Sequence, residues 1–209
     1  MLLAYRSCYS NSALRYKIVD DFLSQSECQQ VIDLATPRLE RSMSWNVQTG
    51  QNQINEYRNS SQCFIRRAET PLIADIEQRI ANITHTKVEQ GENLQVAKYE
   101  KNQHYFEHFD YFDVNFVSNE SQLRRGGQRQ ITAMCYLKQP EKGGGTYFPK
   151  LGSEQLRGHR FMPIQGRLLI WWNVIPDGRQ DESTLHIGED VEQGTKIIFT
   201  KWLRQNVFT

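Results

Sequence analysis

The sequence lacks several features that would place it in a specialised class of protein. Its four cysteines are scattered without a C-x-x-C spacing, and a chain of 209 residues needs no disulfide framework. Lys plus Arg number 25 and Asp plus Glu number 24, which gives a formal net charge of +1. This balance provides no general attraction to nucleic acid or to anionic membranes. We therefore expect a protein with reduced cysteines and neither of these partners.

Long apolar segments are also missing. No apolar run approaches the roughly 20 residues that a membrane span requires. The N-terminal run Met-Leu-Leu-Ala is too short for the core of a signal peptide, because Arg6 follows closely. We find no internal repeat and no low-complexity tract. The sequence therefore predicts one globular domain over residues 1–209, located in the cytoplasm and without a membrane partner.

Residues 1–90 are expected to form a support region of helices and a few strands. A short strand is expected at 15–23. Helices are expected at 24–35 and 69–83, because apolar residues recur there at helical spacing. The polar, turn-rich segment 44–61 predicts an exposed loop, and long loops in compact domains are often functional.

The character of the sequence changes after Gly91. Short stretches rich in aromatic and β-branched residues alternate with clusters of Gly, Pro, Asn and Asp, which is typical of strands and turns. These stretches are LQVAKYE, QHYFEHFDYF, QITAMCYL, GTYFP, GRLLIWWNV, STLHI and GTKIIFTKWL. The order of elements predicts an α+β fold that is mainly β. We expect residues 91–209 to form a two-sheet barrel or jelly roll, with the N-terminal helices packed on one sheet.

The segment HYFEHFDYFD allows two interpretations that need different backbones. On a helix, His104, Glu107 and His108 would spell H-x-x-E-H, a zinc-hydrolase motif. On a strand, His108 and Asp110 would share one face about 7 Å apart and spell H-x-D, half of an iron site. The density of aromatic residues favours the strand. The turn-like EKNQ just upstream predicts a hairpin with the preceding strand LQVAKY.

A complete site of this type needs a second histidine, because iron(II) oxygenases hold the metal with two histidines and one carboxylate. His186, in STLHI, is the better candidate, since His159 lies between two arginines and is more typical of a solvated loop. If 2-oxoglutarate is the co-substrate, its far carboxylate requires a buried cation. GTKIIFTKWL offers Lys196 and Lys201, and the alternation of side chains alone does not choose between them.

From residue 93 to 204 the chain resembles the catalytic domain of the prolyl 4-hydroxylases, an iron(II)/2-oxoglutarate dioxygenase family. The matching stretches are LQVAKYEKNQHYFEHFDYF, GGQRQITAMCYL, GGGTYFPKLG and STLHIGEDVEQGTKIIFTKWL, and the match extends upstream to NEYRNSSQCFI. The ten-residue step from His186 to Lys196 is the family's step from its distal histidine to its 2-oxoglutarate lysine. The resemblance therefore implies Lys196 as the co-substrate lysine. It implies as metal ligands His108, Asp110 and His186.

The resemblance also implies roles for other residues. Tyr99 and Thr146 match positions that line the 2-oxoglutarate pocket. The positions that line the peptide groove are matched by Arg58, Tyr105, Arg129 and Trp202. Of these, Arg58 falls in the family's mobile loop that closes over the substrate. Trp171 and Trp172 are further candidates for a flat apolar wall, or are simply part of the core.

The implied activity is hydroxylation of a prolyl residue at C4, in a peptide or protein, with release of succinate and carbon dioxide. The implied fold is a double-stranded β-helix, and the implied requirements are Fe(II), 2-oxoglutarate, O2 and ascorbate as reductant. Alternatives are a dioxygenase of the same fold that acts on another amino-acid residue or on an alkylated nucleobase, a catalytically silent binding module, and the zinc peptidase. The RRGGQR cluster is the only local basic patch that favours nucleic acid. The oligomeric state stays open.

Two departures from the family pattern concern the substrate. After the distal histidine the family usually has small residues followed by Pro-Val, whereas this chain has Glu189 and Asp190. Arg204 occupies a position where the family often has a histidine. The two acidic residues suggest that basic residues near the target proline would be tolerated or favoured.

Overall fold

The computed structural model describes residues 5–6, 15–46, 48–151 and 158–209. We predicted from the N-terminal sequence that a signal peptide is absent. Most of that stretch lies outside the described residues. The helices are α1 (Gln25–Ala35), α2 (Pro71–Thr84) and α3 (Glu120–Arg124). The strands are β1 (Tyr5–Arg6), β2 (Tyr16–Val19), β3 (Glu40–Arg41), β4 (Ser44–Asn46), β5 (Gln51–Gln53), β6 (Ser61–Ile65), β7 (Leu94–Tyr99), β8 (Tyr105–His108), β9 (Arg129–Lys138), β10 (Lys142–Gly143), β11 (Thr146–Phe148), β12 (His159–Phe161), β13 (Leu168–Trp172), β14 (His186–Gly188), β15 (Val191–Gln193) and β16 (Lys196–Arg204). Within the described ranges, no helix has the length and apolar character needed to cross a membrane.

Both predicted helices are present, and local sequence explains where they begin. Ser24 caps α1 in a capping box, in which its hydroxyl accepts from the Glu27 amide and the Glu27 carboxylate accepts from the Ser24 amide. Thr70 caps α2 through a hydrogen bond from the Ile73 amide, and Pro71 occupies the first turn, where its missing N–H costs nothing.

The strands of the described residues form two larger antiparallel sheets and two short pairs. The main sheet has the order β1-β2-β13-β9-β16-β7-β6-β3, and the minor sheet has the order β12-β11-β14-β8. The pairs are β4-β5 and β10-β15. Strands from residues 1–90 and from residues 91–209 therefore share the main sheet. This architecture confirms the predicted double-stranded β-helix with helices on one sheet.

The central strand β9 of the main sheet is buried on both faces, and the alternation of its side chains shows why. Cys135 and its neighbours at every second position face α1 and α2, where they join residues such as Val31 and Ile76 in one core. Met134 and Tyr136 face the minor sheet and pack with Phe148 and other residues in a second core. A strand covered on both sides has no polar face, which accounts for the nearly continuous apolar run in QITAMCYL.

The predicted hairpin between LQVAKY and the strand that follows is wrong. The chain does turn at EKNQ, where Asn102 adopts a positive φ of 64°. However, both edges of β7 are already paired, with β6 on one side and β16 on the other. With no free edge on β7, β8 crosses to the minor sheet and pairs with β14.

The prediction that segment 44–61 is an exposed loop is also only partly right. Strands β4 and β5 form a small hairpin there, and β5 is exposed. The later part of the segment is not exposed, because the side chain of Arg58 is buried and Arg58 forms a β-bridge with Tyr105. The same segment therefore contributes both an exposed strand and a buried cation.

Candidate active site

Three potential metal ligands converge at one end of the barrel. His108 is the last residue of β8 and His186 the first of β14, and the two are register partners in the minor sheet. Asp110 lies two residues beyond the end of β8. One donor atom from each of the three lies within 4.8 Å of the others. The expectation that Asp110 shares a strand with His108 is wrong, since the strand ends first, yet the residues still meet.

Hydrogen bonds orient each of these side chains. His108 Nδ1 donates to the Phe106 carbonyl at 2.7 Å, and His186 Nδ1 donates to the Thr184 carbonyl at 2.8 Å. With Nδ1 protonated, the Nε2 lone pair of each ring is free to bind a metal. Asp110 Oδ2 accepts from the Thr132 hydroxyl at 2.7 Å. The result is a set of two nitrogens and one oxygen, each fixed by a partner of its own.

Burial gives His108 the protonation state that metal binding requires. Burial lowers the pKa of His108 well below its ordinary value, and the neighbouring His186 acts in the same direction. A neutral imidazole can ligate without first losing a proton. Two histidines with one carboxylate are the ligand set typical of mononuclear iron(II) oxygenases, so the residues present fit that metal.

Lys196 is a buried lysine that lines the site. It opens β16 opposite Tyr99 of β7, and its side chain is only 1% exposed. Burial lowers its pKa to about 8, with Glu189 acting in the opposite direction. Among the described residues, none forms an ion pair with it, so this cation needs an anion from outside the chain. Nearby, the hydroxyls of Tyr136 and Thr146 lie 2.7 Å apart.

Lys201 belongs to a different part of the molecule. It is buried on the helix side of β16, where its Nζ donates to the Glu77 carboxylate of α2. Glu77 also accepts from the Ala68 amide at 2.9 Å. Because Lys201 already has an anionic partner, Lys196 is the lysine of this pair that remains available for a ligand.

One groove of about 910 Å³ joins these features. Its lining includes the three potential ligands and also Tyr99, Thr146, Lys196, Arg58, Tyr105, Arg129 and Trp202. The Tyr105 ring stacks on the His108 ring at 3.5 Å between centroids, and the Arg58 guanidinium lies 4.8 Å from the Tyr105 centroid. Arg129 lies 3.7 Å from the centroid of Trp202. The groove therefore has two parts. One is a pocket that contains the buried Lys196, and the other is a wall formed by the aromatic rings of Tyr105 and Trp202.

Trp171 and Trp172 do not share this wall equally. Trp171 is buried, lines the groove and packs edge-on against His186 at 4.9 Å. Trp172 packs on the outer core instead, with the Arg15 guanidinium 4.4 Å from its ring centroid. His159 is exposed, as expected, but lies on the short edge strand β12 instead of a loop.

Sequence reasoning missed the group that holds Arg129. Glu92 binds the Arg129 guanidinium through two hydrogen bonds of 2.6 and 2.8 Å, and it also pairs with Arg204 at 2.8 Å. Burial opposes the charge of Glu92, but the two arginines lower its pKa. The alternation along β16 contained a signal for Arg204, because it shares a face with Lys196 and Trp202, both of which line the groove.

The two acidic residues after the distal histidine already have partners. Glu189 forms hydrogen bonds of 2.6 and 2.7 Å with Arg160, and Asp190 lies 3.0 Å from His104 Nδ1. Neither carboxylate is therefore an unpaired charge awaiting a basic residue of the substrate. The arginines of RRGGQR are engaged as well. Arg124 pairs with Glu120, and Arg129 is the groove residue described above.

The chain is similar to several prolyl 4-hydroxylases in sequence and to a prolyl hydroxylase in fold. The profile of the 2OG-Fe(II) oxygenase superfamily matches residues 94–204. Prolyl 4-hydroxylase 1 of Arabidopsis thaliana is 37% identical over 200 residues, which cover 91% of this chain and 69% of the relative. Probable prolyl 4-hydroxylase 10 of the same plant is 37% identical over 203 residues, which cover 91% and 68%.

A solved structure of a prolyl hydroxylase also has a similar fold. The viral collagen prolyl hydroxylase of Paramecium Bursaria Chlorella virus-1, in its 2OG complex, superposes with a TM-score of 0.69 and 29% identity. The superposition covers 90% of this chain and 94% of the viral one.

Proposed function

Because this chain belongs to the 2OG-Fe(II) oxygenase superfamily, and within it to the prolyl 4-hydroxylases, we propose that it hydroxylates prolyl residues of peptides or proteins at C4. The reaction would consume 2-oxoglutarate and O2 and release succinate and carbon dioxide. The observation that carries the proposal is the meeting, in one groove, of a His-Asp-His set and a buried lysine without an anionic partner.

In this proposal His108, Asp110 and His186 hold Fe(II), each by the atom that its own hydrogen bond leaves free. When bound, the metal supplies the oxidising chemistry that inserts one oxygen atom of O2 into a C–H bond while 2-oxoglutarate is decarboxylated. The role of the protein is to fix the three donor atoms. Thr132 supports that role, since it holds the Asp110 carboxylate and in turn accepts from Asn173 at 2.9 Å.

We further propose that Lys196 binds the far carboxylate of 2-oxoglutarate. A dianion entering this pocket would neutralise a cation that burial otherwise disfavours. Tyr99 and Thr146 line the same pocket and offer hydroxyl groups to the co-substrate. Binding and neutralisation in a buried site would also exclude water from the reacting atoms.

The target proline is proposed to lie against the aromatic wall. Tyr105 and Trp202 present flat apolar surfaces, and Arg58 and Arg129 offer donors to the peptide's carbonyl groups. A proline-rich segment is already extended and has no internal backbone hydrogen bonds, so it enters such a groove at a low cost in conformational entropy. Ascorbate as the reductant and a cytoplasmic location stay predictions.

The proposal is tested by mass spectrometry of proline-containing peptides incubated with enzyme, Fe(II), ascorbate and 2-oxoglutarate. We expect a gain of one oxygen on proline, identified as 4-hydroxyproline by amino-acid analysis and lost in the His108→Ala variant. Oxygen on lysine, on asparagine or on a free amino acid, or dealkylation of a nucleobase, would contradict the substrate while leaving the metal site standing.

A further inference from the structure

The side chain of His104, which lies just before β8, contacts two distant segments of the chain. Its Nδ1 lies 3.0 Å from the Asp190 carboxylate, in the turn between β14 and β15. Its Nε2 lies 3.2 Å from the backbone carbonyl of Glu56. The ring also stacks on Phe106 of β8, with 4.1 Å between centroids. This single side chain therefore joins three parts of the chain.

Both polar contacts of the His104 ring are made to hydrogen-bond acceptors. A backbone carbonyl and an ionised carboxylate can only accept hydrogen bonds. Each ring nitrogen of His104 therefore faces an acceptor, and a proton on either nitrogen makes a hydrogen bond to it. The H-x-x-E-H interpretation is wrong because residues 105–108 form a strand, so His104 and His108 do not share the face of a helix.

The Glu56 carbonyl belongs to a segment that docks on the edge of the minor sheet. We name residues 55–59 the lid base. The Asn59 amide donates to the His104 carbonyl at 3.3 Å, and the Phe106 amide donates to the Tyr57 carbonyl at 2.9 Å. The lid base thereby adds a short pairing to β8, the outermost strand of the minor sheet.

The lid base continues from the β4-β5 hairpin, which lines the groove. Trp45 of this hairpin donates from its indole nitrogen to the side-chain oxygen of Asn119 at 2.8 Å. Within the lid base, Asn55 donates to the Ser44 hydroxyl of the hairpin at 2.7 Å. The lid base also carries Arg58, whose guanidinium lies over the ring of Tyr105.

We propose that His104 and Asp190 form a clasp that holds the lid base against β8 and so positions Arg58 and Tyr57, which both line the groove, for the bound peptide. His104 and Asp190 are positioning residues, because they act through the lid base and do not line the groove themselves. The part of the proposal that concerns the peptide rests on the proposed function, whereas the part that concerns the lid base does not.

Hydrogen exchange of the full chain tests the clasp without any substrate. We compare wild type with His104→Ala, Asp190→Asn and the double variant, and we use His159→Ala and Asp177→Asn as matched controls at exposed positions away from the lid base. We expect faster exchange at the amides of Asn59 and Phe106 in the three clasp variants. The double variant should match His104→Ala, because Asp190 acts through that ring. The controls should exchange like wild type.

The kinetic arm uses the same proteins and a proline-containing peptide. His104→Ala is expected to raise the peptide KM about fivefold, as loss of the contacts to Asp190 and to the Glu56 carbonyl would do, with a 2-oxoglutarate Kd within about twofold of wild type. Unchanged exchange at the lid base in both single variants would overturn the clasp. Faster exchange with an unchanged peptide KM would overturn its role in positioning. If wild type hydroxylates no peptide, the proposed function fails, and the exchange arm alone decides the clasp.

Discussion

Lys196 and Lys201 lie five residues apart on β16 and point to opposite faces of the strand. Lys196 faces the groove, whereas Lys201 faces α2 and binds Glu77. An odd spacing on a strand places two side chains on different faces, so only one lysine can serve the groove. We therefore expect Lys196 to act in ligand binding and Lys201 to act in stability, and substitution of each lysine can distinguish the two roles.

Lys196→Ala is expected to raise the 2-oxoglutarate concentration needed for half-maximal turnover by about 30- to 100-fold. A buried charge-assisted pair contributes about 2–3 kcal/mol, and 1.4 kcal/mol corresponds to one decade in affinity. Iron binding should change little. Steady-state kinetics with varied 2-oxoglutarate measure the effect, and an unchanged requirement would refute the assignment of this lysine.

Lys201→Ala is expected to act on stability instead. Removing one partner of a buried ion pair leaves Glu77 uncompensated and costs about 3–5 kcal/mol. Urea unfolding measures this loss. The control is the double variant Lys201→Met with Glu77→Leu, which should recover most of the loss because no buried charge is left alone. If the single and double variants are equally unstable, the pair is not the cause.

Replacing His108, Asp110 or His186 by Ala is expected to abolish 2-oxoglutarate turnover and to remove bound iron, with the fold retained. Glu107→Ala is the matched control, since Glu107 lies next to His108 but its side chain is exposed. Metal analysis of purified protein and circular dichroism are the two measurements. Equal loss of iron in Glu107→Ala and His108→Ala would contradict the ligand set.

Thr132→Val tests the support of the metal site with almost no change in side-chain shape. The valine cannot donate to Asp110 or accept from Asn173, so it removes both bonds of Thr132 described above. Loss of such an outer hydrogen bond is expected to weaken iron binding about 10- to 100-fold. Anaerobic titration with Fe(II) measures the affinity. Wild-type affinity in Thr132→Val would mean that the Asp110 carboxylate is held by other contacts.

The affinity for 2-oxoglutarate is expected to fall as the pH rises. Burial lowers the pKa of Lys196 to about 8, so in the unliganded protein the lysine loses its proton above that pH. At pH 9 about one lysine in ten remains charged, and the Kd should be about tenfold higher than at pH 7. Lys196→Arg keeps its charge over this range and should show no such slope. A slope shared by both proteins would assign the effect to another group.

The lowered pKa of Lys196 also affects the stability of the fold, but in the opposite direction to its effect on 2-oxoglutarate affinity. Between pH 8 and pH 10.5 the unfolded chain holds more protons at this lysine than the folded chain does, so the stability of the unliganded protein should rise with pH in that window.

Much of this arrangement could be predicted from sequence because periodicity and caps are local. The capping residues at Ser24 and Thr70 locate both helices, and the aromatic pattern of 105–108 correctly indicates a strand. The family resemblance adds the ten-residue spacing between His186 and Lys196, which assigns a role to each. In each of these cases the information lies within a dozen residues.

What sequence reasoning could not supply are contacts between distant segments. The crossing of β8 to the minor sheet depends on β6 and β16, which already occupy both edges of β7. The burial of Arg58 depends on its bridge to Tyr105, and the partners of Glu92 lie 37 and 112 positions away. Polarity alone therefore indicated an exposed loop where the fold places a buried cation.

The most direct test of the central claim is reaction of a proline-containing peptide with the wild-type protein under oxygen-18 gas, with 2-oxoglutarate and Fe(II). We expect one labelled oxygen in 4-hydroxyproline and one in succinate, formed in equal amounts, because one atom of O2 enters each product. Labelled succinate with unlabelled, unmodified proline, or label on any other residue, would contradict prolyl hydroxylation as the function.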